Sequence, residues 1–269
     1  ADGRASPDPK RGRLRDALVV SEVALAFVLL AGAGLIARSL LEVLAVDPGF
    51  DTRQLVTARV SLPAAAYPDA ARQAAAHDEI LARLAALPGA RGAASTSVLP
   101  LGGGGNTIRF VVDGHPPPSG ELEPEANIRD VSPAYFETLG ISILDGRAFD
   151  GGDRDGGEQV VIVNRTLAER HFPAGAVGGH IVFTFAKTER PRRIVGVVGD
   201  EQLGPLDAAA RPAVYAPYAQ GPNAGISLAV RGAITGNDLA RVVKGVDPAI
   251  PVFEVSTMEQ RIAEAPWMF

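Results

Sequence analysis

From Ala17 to Ala37 the chain carries one ionisable side chain, Glu22, in 21 residues, whereas beyond Ala37 apolar and polar positions alternate as they do in a water-soluble domain. An α-helix of that length rises about 31 Å, close to the roughly 30 Å hydrocarbon thickness of a bilayer. The stretch reads as a membrane span. Two rivals share its pattern. A basic start, an apolar run and the small triplet Ala31-Gly32-Ala33 copy a cleavable signal, and a buried core helix can be equally apolar. Against the signal, Glu22 interrupts the run, and Leu35-Ile36-Ala37 extends it with no polar region before a cut. Glu22 lies near the basic edge of the span, where a carboxylate reaches headgroups or an arginine; the alternative is a functional intramembrane carboxylate.

Downstream, "RSLLEVLAV" keeps Leu40, Leu41 and Leu44 on one helical face with no breaker before Pro48, so span and stalk are expected over 17–46. "LVTARVSLP" predicts a strand over Leu55–Leu62. An amphipathic helix follows from Asp69 to Leu87, with Ile80, Leu81, Leu84 and Leu87 on its apolar face and Pro88-Gly89 as its stop. Strand "AASTSVL", Ala93–Leu99, closes the first half. The same order recurs near the end: strand "GISLAVRG", a helix carrying Leu239, Val242, Val243 and Val246, then strand "PVFEVS". Two such βαβ halves form a split ferredoxin-like lobe, 47–100 and 221–269. Between them, 101–220 has the texture of an inserted β-rich lobe, with strands "TIRFVVDG", "EQVVIVN", "HIVFTF", "RRIVGVVGD" and "PAVYAPY". Two short helices are expected there, one capped by Ser132 and closed by Gly140, the other capped by Asn164. Proline-rich "HPPPSGELEPE" is an exposed loop. The predicted fold class is α+β.

Composition removes several chemistries. The chain has no cysteine, which excludes disulfides, thiolate metal sites and cysteine nucleophiles. Its net charge of −5 is uneven: Lys10, Arg11, Arg13 and Arg15 crowd the amino-terminal side of the span, while the body is mildly acidic and unsuited to nucleic acid. The basic excess predicts residues 1–16 in the cytoplasm and the body outside. Scarce lysine beside abundant Ala, Gly and Pro points to a GC-rich bacterial source.

No catalytic, cofactor-binding or metal-ligating residue is assigned, and no cofactor is expected. Gly102 to Gly105 could cradle a phosphate, but no Lys-Ser/Thr follows and the next element is a strand, so a hairpin turn is expected. Asp153, Asp155 and Glu158 offer oxygen ligands at spacings wrong for a calcium loop and read as a solvated acidic turn. His77, His115, His171 and His180 show no metal spacing, and no nucleophile turn occurs. Asn164-Arg165-Thr166 is formally a glycosylation sequon, with a helix cap the better use of Asn164. Trp267, beside Met268 and Phe269, is either a return to the bilayer or a lone exposed aromatic.

The ordered pieces "LRDALVVSEVALAFVLLAGAGLIARSL", "VDPGFDTRQLVTARVSLP", "VSPAYFETLGISILDGRAF", "VVIVNRTLAERHFP", "RRIVGVVGD", "PAVYAPY" and "VDPAIPVFEVSTMEQRI" resemble one permease repeat of the MacB/FtsX-type ABC transporters, above all the long bacterial permeases with two repeats. The resemblance implies a first transmembrane helix and a periplasmic core domain with a porter-like lobe and an inserted lobe, in the bacterial inner membrane. It also implies a cytoplasmic ABC ATPase subunit, a second permease repeat or protomer, the lipid bilayer and a periplasmic adaptor as partners. The expected role is export or mechanotransmission rather than catalysis, with further membrane spans beyond Phe269; a single-span anchored binding or scaffold domain is the alternative. One departure stands out. In "FPAGAVGGHI", Ala176 and Gly179 occupy the places of the family's usual proline and lysine.

Overall fold

One helix, α1 (Pro9–Leu44), holds the entire apolar run. It begins earlier than the expected Ala17, with proline at its first position, where the missing N–H has no helical acceptor anyway. The computed structural model describes residues 9–44, 47–101, 105–115, 118, 120, 122–184, 190–202 and 209–264, which form two units, the helix and a body from Asp47. The stretch Leu18–Arg38, mean hydropathy 2.3, is long and apolar enough to cross a membrane. Its side chains are exposed, Leu30 at 70% and Ile36 at 73%, so the core-helix alternative fails. Residues 45 and 46, the end of the expected stalk, lie outside the described residues.

The body opens with β1 (Leu55–Ser61), α2 (Ala70–Ala85) and β2 (Ala90–Thr96). Then come β3 (Asn106–Val112), β4 (Glu125–Val131), α3 (Tyr135–Leu139), β5 (Ile143–Gly146), β6 (Val160–Asn164), α4 (Arg165–His171), β7 (His180–Phe183), β8 (Arg192–Val198) and β9 (Ala213–Pro217). A 3-10 turn, Tyr218–Gln220, leads to β10 (Gly225–Gly232), α5 (Gly236–Val246), β11 (Val252–Thr257) and α6 (Met258–Glu264).

Local chemistry sets the helix ends: Asp69 caps α2 by accepting from Arg72 N, and Thr235 with Asp238 forms a reciprocal capping box on α5. Strands β11-β1-β10-β2 pair antiparallel in that order, the interleaved order of a split ferredoxin-like sheet. Val56, Ala58 and Val60 of β1 and Ile226, Leu228 and Val230 of β10 point to one face, where Ile80 and Leu84 of α2 and Leu239 and Val243 of α5 complete a core. Each such buried valine, leucine or isoleucine contributes about 1.5–3 kcal/mol.

The intervening strands run β4-β3-β7-β8-β6-β9, and β9 pairs back onto β4 in parallel, closing them into a barrel. Phe110, Ala126, Val161, Val163, Ile181, Ile194 and Val214, with Leu167 of α4, fill a second core. Between Thr96 and Val131 a single residue pair joins the barrel to the four-stranded sheet. Across this join α3 lies on β2 and β10, close enough that a Cβ on Gly92 would sit 3.0 Å from Thr138 Oγ1.

Several expectations need correction. The first-half strand is Ala90–Thr96 rather than Ala93–Leu99, and β4 and β5 were not expected. Ser132 does not cap α3, whose N-cap is Ala134; its hydroxyl accepts from Ser95 N of β2 at 2.9 Å instead. Gly140 does close α3, in the left-handed region at φ +73°. Where the family's proline-lysine turn is altered, Ala176 is buried and Gly179 lies so near Phe172 that a Cβ would meet its ring at 2.9 Å. A side chain at 179 could not share that space.

Candidate functional site

The segment that enters the body, 47–54, is fastened on three sides. Asp47 Oδ1 accepts from Gly49 N at 2.9 Å and shapes the first turn. Gly49 takes φ +78°, and a Cβ there would lie 2.0 Å from Asp200 O, so only glycine lets the segment meet the loop after β8. Gln202 N then donates to Pro48 O, and Asp51 N to Leu139 O, both at 2.8 Å. The third fastening is Arg231 of β10, which donates to the carbonyls of Asp51, Arg53 and Thr138 and pairs with the Asp51 carboxylate at 3.2 Å. Hydrogen bonds from Arg53, then the charge of Arg231, hold the Asp51 carboxyl below its ordinary range against the opposing effect of burial. Burial lowers the pKa of Arg231, against the charge of Asp51.

Next to Asp200 stands a buried charge, Glu201. Glu201 faces Arg129 at 3.8 Å, their side chains 0% and 2% exposed. Tyr215 donates to Glu201 at 2.9 Å, and Tyr135 of α3 reaches both carboxylate oxygens, the nearer at 2.9 Å. Arg129 also donates to Val98 O. Burial pushes the Glu201 carboxyl up, opposed by Arg129 and the two phenols, while burial and the carboxylate together push both tyrosines well above their ordinary range. Phe136 packs edge-on against Tyr215 at 5.0 Å, closing the group from water. One network therefore ties β4, α3, β9 and the 199–202 loop together, beside a cleft of about 690 Å3 whose walls include Asp47, Arg53, Leu144, Arg165 and Gln202. Its parts hold these elements to one another.

The residues weighed in the sequence fall elsewhere. Gly102 to Gly104 and Trp267 lie outside the described residues, and Gly105 directly precedes β3. Asp153 is not solvated as expected: it is buried and paired twice with Arg147, at 2.7 and 2.8 Å, while Glu158 is paired with Arg193. Asp155 accepts from Gly156 N. Asn164 caps α4 through Leu167 N and also accepts from Ala213 N, donating to Asp200 and Arg211 O. Glu22 is exposed on α1. The histidines are scattered, and among the described residues no three His, Cys, Asp or Glu gather as a metal site.

His77 of α2 is 0% exposed, its ring 5.2 Å from that of Tyr218 and both nitrogens without a hydrogen-bond partner. Burial lowers its pKa from 6.5 to about 4. Above pH 6.5 both folded and unfolded states hold it neutral. As pH falls from 6.5 toward 4 the unfolded chain takes the proton first, so stability drops by up to about 3 kcal/mol. A His77→Phe variant should lose that slope in urea titrations between pH 7 and 4; an unchanged slope would mean that His77 is hydrated.

A split ferredoxin-like sheet with a closed barrel inserted in it, preceded in sequence by one helix long and apolar enough to cross a membrane, defines an α+β domain. The sequence profile of the MacB-like periplasmic core domain matches residues 20–249, and the chain belongs to that family, a segment of a MacB-like ABC-transporter permease. Among curated relatives, the macrolide export ATP-binding/permease protein MacB of Aggregatibacter actinomycetemcomitans is 30% identical over 94 residues, 35% of this chain and 14% of that protein. Its counterpart from Mannheimia succiniciproducens is 32% identical over 92 residues, 34% of this chain and again 14% of the relative. The crystal structure of the periplasmic region of MacB from Actinobacillus actinomycetemcomitans shares the fold, with TM-score 0.50 and 16% identity over 83% of this chain and 98% of that one.

Neither Glu201 nor Arg231 belongs to a local sequence motif; the local signal is a charged residue, Arg231, near the end of the mostly apolar strand β10.

Proposed function

We propose that the chain is the first membrane helix and periplasmic body of a permease in an ABC-type export or mechanotransmission system, passing ATP-driven movement of the spans to the extracytoplasmic domain. One observation carries the reading. The segment entering the body is fastened at once to the loop after β8, to α3 and to β10, so displacement of that segment loads the barrel and the four-stranded sheet together. In this reading 47–100 with 221–269 and 101–220 act as two lobes, joined by α3 and the Arg129–Glu201 network. A cytoplasmic ABC ATPase supplies the energy, as a separate subunit; the relatives' names join ATP binding and permease in one protein. A second permease repeat or protomer, the bilayer and a periplasmic adaptor are the other partners.

The basic cluster before Leu18 sets the orientation, with the amino terminus cytoplasmic. The cysteine-free sequence makes the test direct. In intact cells with a permeabilised outer membrane, an impermeant thiol reagent should label Asp155→Cys and spare Ser6→Cys until the inner membrane is opened. Labelling of Ser6→Cys alone would reverse the orientation and remove the transmission reading.

A further inference from the structure

We propose that Arg231 is the clamp through which movement of the entering segment reaches α3 and the four-stranded sheet, a positioning role that rests on the transmission reading. Alternation along β10 sends Ile226, Leu228 and Val230 into the core and turns Arg231 to the opposite face, toward α3. There its side chain is 13% exposed. Nε donates to Thr138 O at 2.6 Å, Nη1 to Arg53 O at 2.7 Å and Nη2 to Asp51 O at 2.5 Å. Three carbonyls from two segments about 90 residues apart in sequence thus share one planar cation. Thr138 O belongs to the last turn of α3, where helical carbonyls lack intrahelical partners.

The segment it holds is strained. Gln54, directly after Arg53, is one of the few non-glycine residues in the left-handed region, at φ +51°. Such a residue persists only where its surroundings over-determine it. Gly232 N donates to Gln54 O at 2.9 Å and Glu259 accepts from Gln54 N at 3.2 Å, so the residue after Arg231 grips the same segment. A guanidinium suits this task because its rigid fork reaches several acceptors in one plane; an ammonium keeps the charge near Asp51 but cannot bridge three carbonyls in fixed geometry. Because Arg231 lies off the core face, its replacement leaves the packing of Ile80, Leu84 and Leu228 untouched.

The test uses the full-length permease with its ATPase. In Arg231→Met, the amides of Asp51 and Gly232 should exchange hydrogen about tenfold faster while those of Val56 and Leu228 keep parental rates. ATP hydrolysis should persist and the transport or resistance phenotype should fall about tenfold. Arg231→Lys should behave like Arg231→Met, and it decides the matter if Arg231→Met does not fold. Parental transport in the Arg231 variants, or parental exchange at the amides of Asp51 and Gly232, overturns the clamp. A Leu41→Pro control separates the two ideas: if it transports normally the transmission reading itself fails, and if it does not while the Arg231 variants do, only the clamp fails.

Discussion

Replacing Glu201 by alanine should lower the stability of the body by about 3–5 kcal/mol, because Arg129 would be left charged and unpaired in a space from which water is excluded. The carboxylate accepts from two phenols and faces one guanidinium, so its loss also strands the hydroxyls of Tyr135 and Tyr215. Tyr215→Phe removes one donor and leaves the ion pair, and should cost only about 1–2 kcal/mol. The informative variant is the double one. Arg129→Met with Glu201→Leu removes both charges and keeps volume, and buried pairs replaced in this way are often neutral or better, by about 1–4 kcal/mol. We expect the double variant to recover part of the stability lost in Glu201→Ala, the part due to the unpaired charge, while the hydroxyls of Tyr135 and Tyr215 stay stranded, as read from urea midpoints with unchanged slopes. It should still lose coupling between α3 and the barrel, because the pair fixes which groups meet. A loss below about 1 kcal/mol in Glu201→Ala would mean that Arg129 finds water, and the network would then pin nothing.

What could be read in the sequence, and what could not, follows from where each signal lives. The helix from Ala70 and the paired half around α5 were legible because their apolar residues repeat at helical spacing beside good caps, and the cap at Asn164 is a local feature too. Strand β4 was not, because "EANIRDV" buries Arg129 where an apolar residue would signal a strand; the residue that makes the site hid the element that carries it. Strand β5 escaped since "ILDG" is an exposed strand paired only with β8. The start of β2 was missed because small residues such as Gly92 let α3 approach, and small residues give little strand signal. The fastening of the entering segment brings together Gly49 and Asp200, Asp51 and Leu139, and Arg231 with Asp51, Arg53 and Thr138. No periodicity links such distant positions. Resemblance supplied the family from ordered motifs, yet the residues that join its parts became visible only in the folded chain.

Breaking the helix just beyond the span should abolish transport while leaving ATP hydrolysis in place. Helix α1 runs without interruption to Leu44, past the apolar stretch that ends at Arg38, so about one and a half turns of helix extend beyond it. Proline at Leu41 removes a backbone donor and clashes with the preceding turn, at a cost of roughly 3 kcal/mol in a helix interior. Insertion should survive, since the substitution lies outside Leu18–Arg38. The entering segment would still be fastened by Gly49, Asp51 and Arg231, because those contacts belong to the body. What changes is stiffness: a kinked connection absorbs movement that an unbroken helix would pass on. In cells carrying the full-length permease and its ATPase, Leu41→Pro should cut the transport or resistance phenotype at least about tenfold at equal expression, with hydrolysis near the parental rate. Leu41→Ala keeps the helix and should have a much smaller effect. If Leu41→Pro transports as well as the parent, the helix beyond the span is a tether, and the body handles its substrate or partner without being driven through α1.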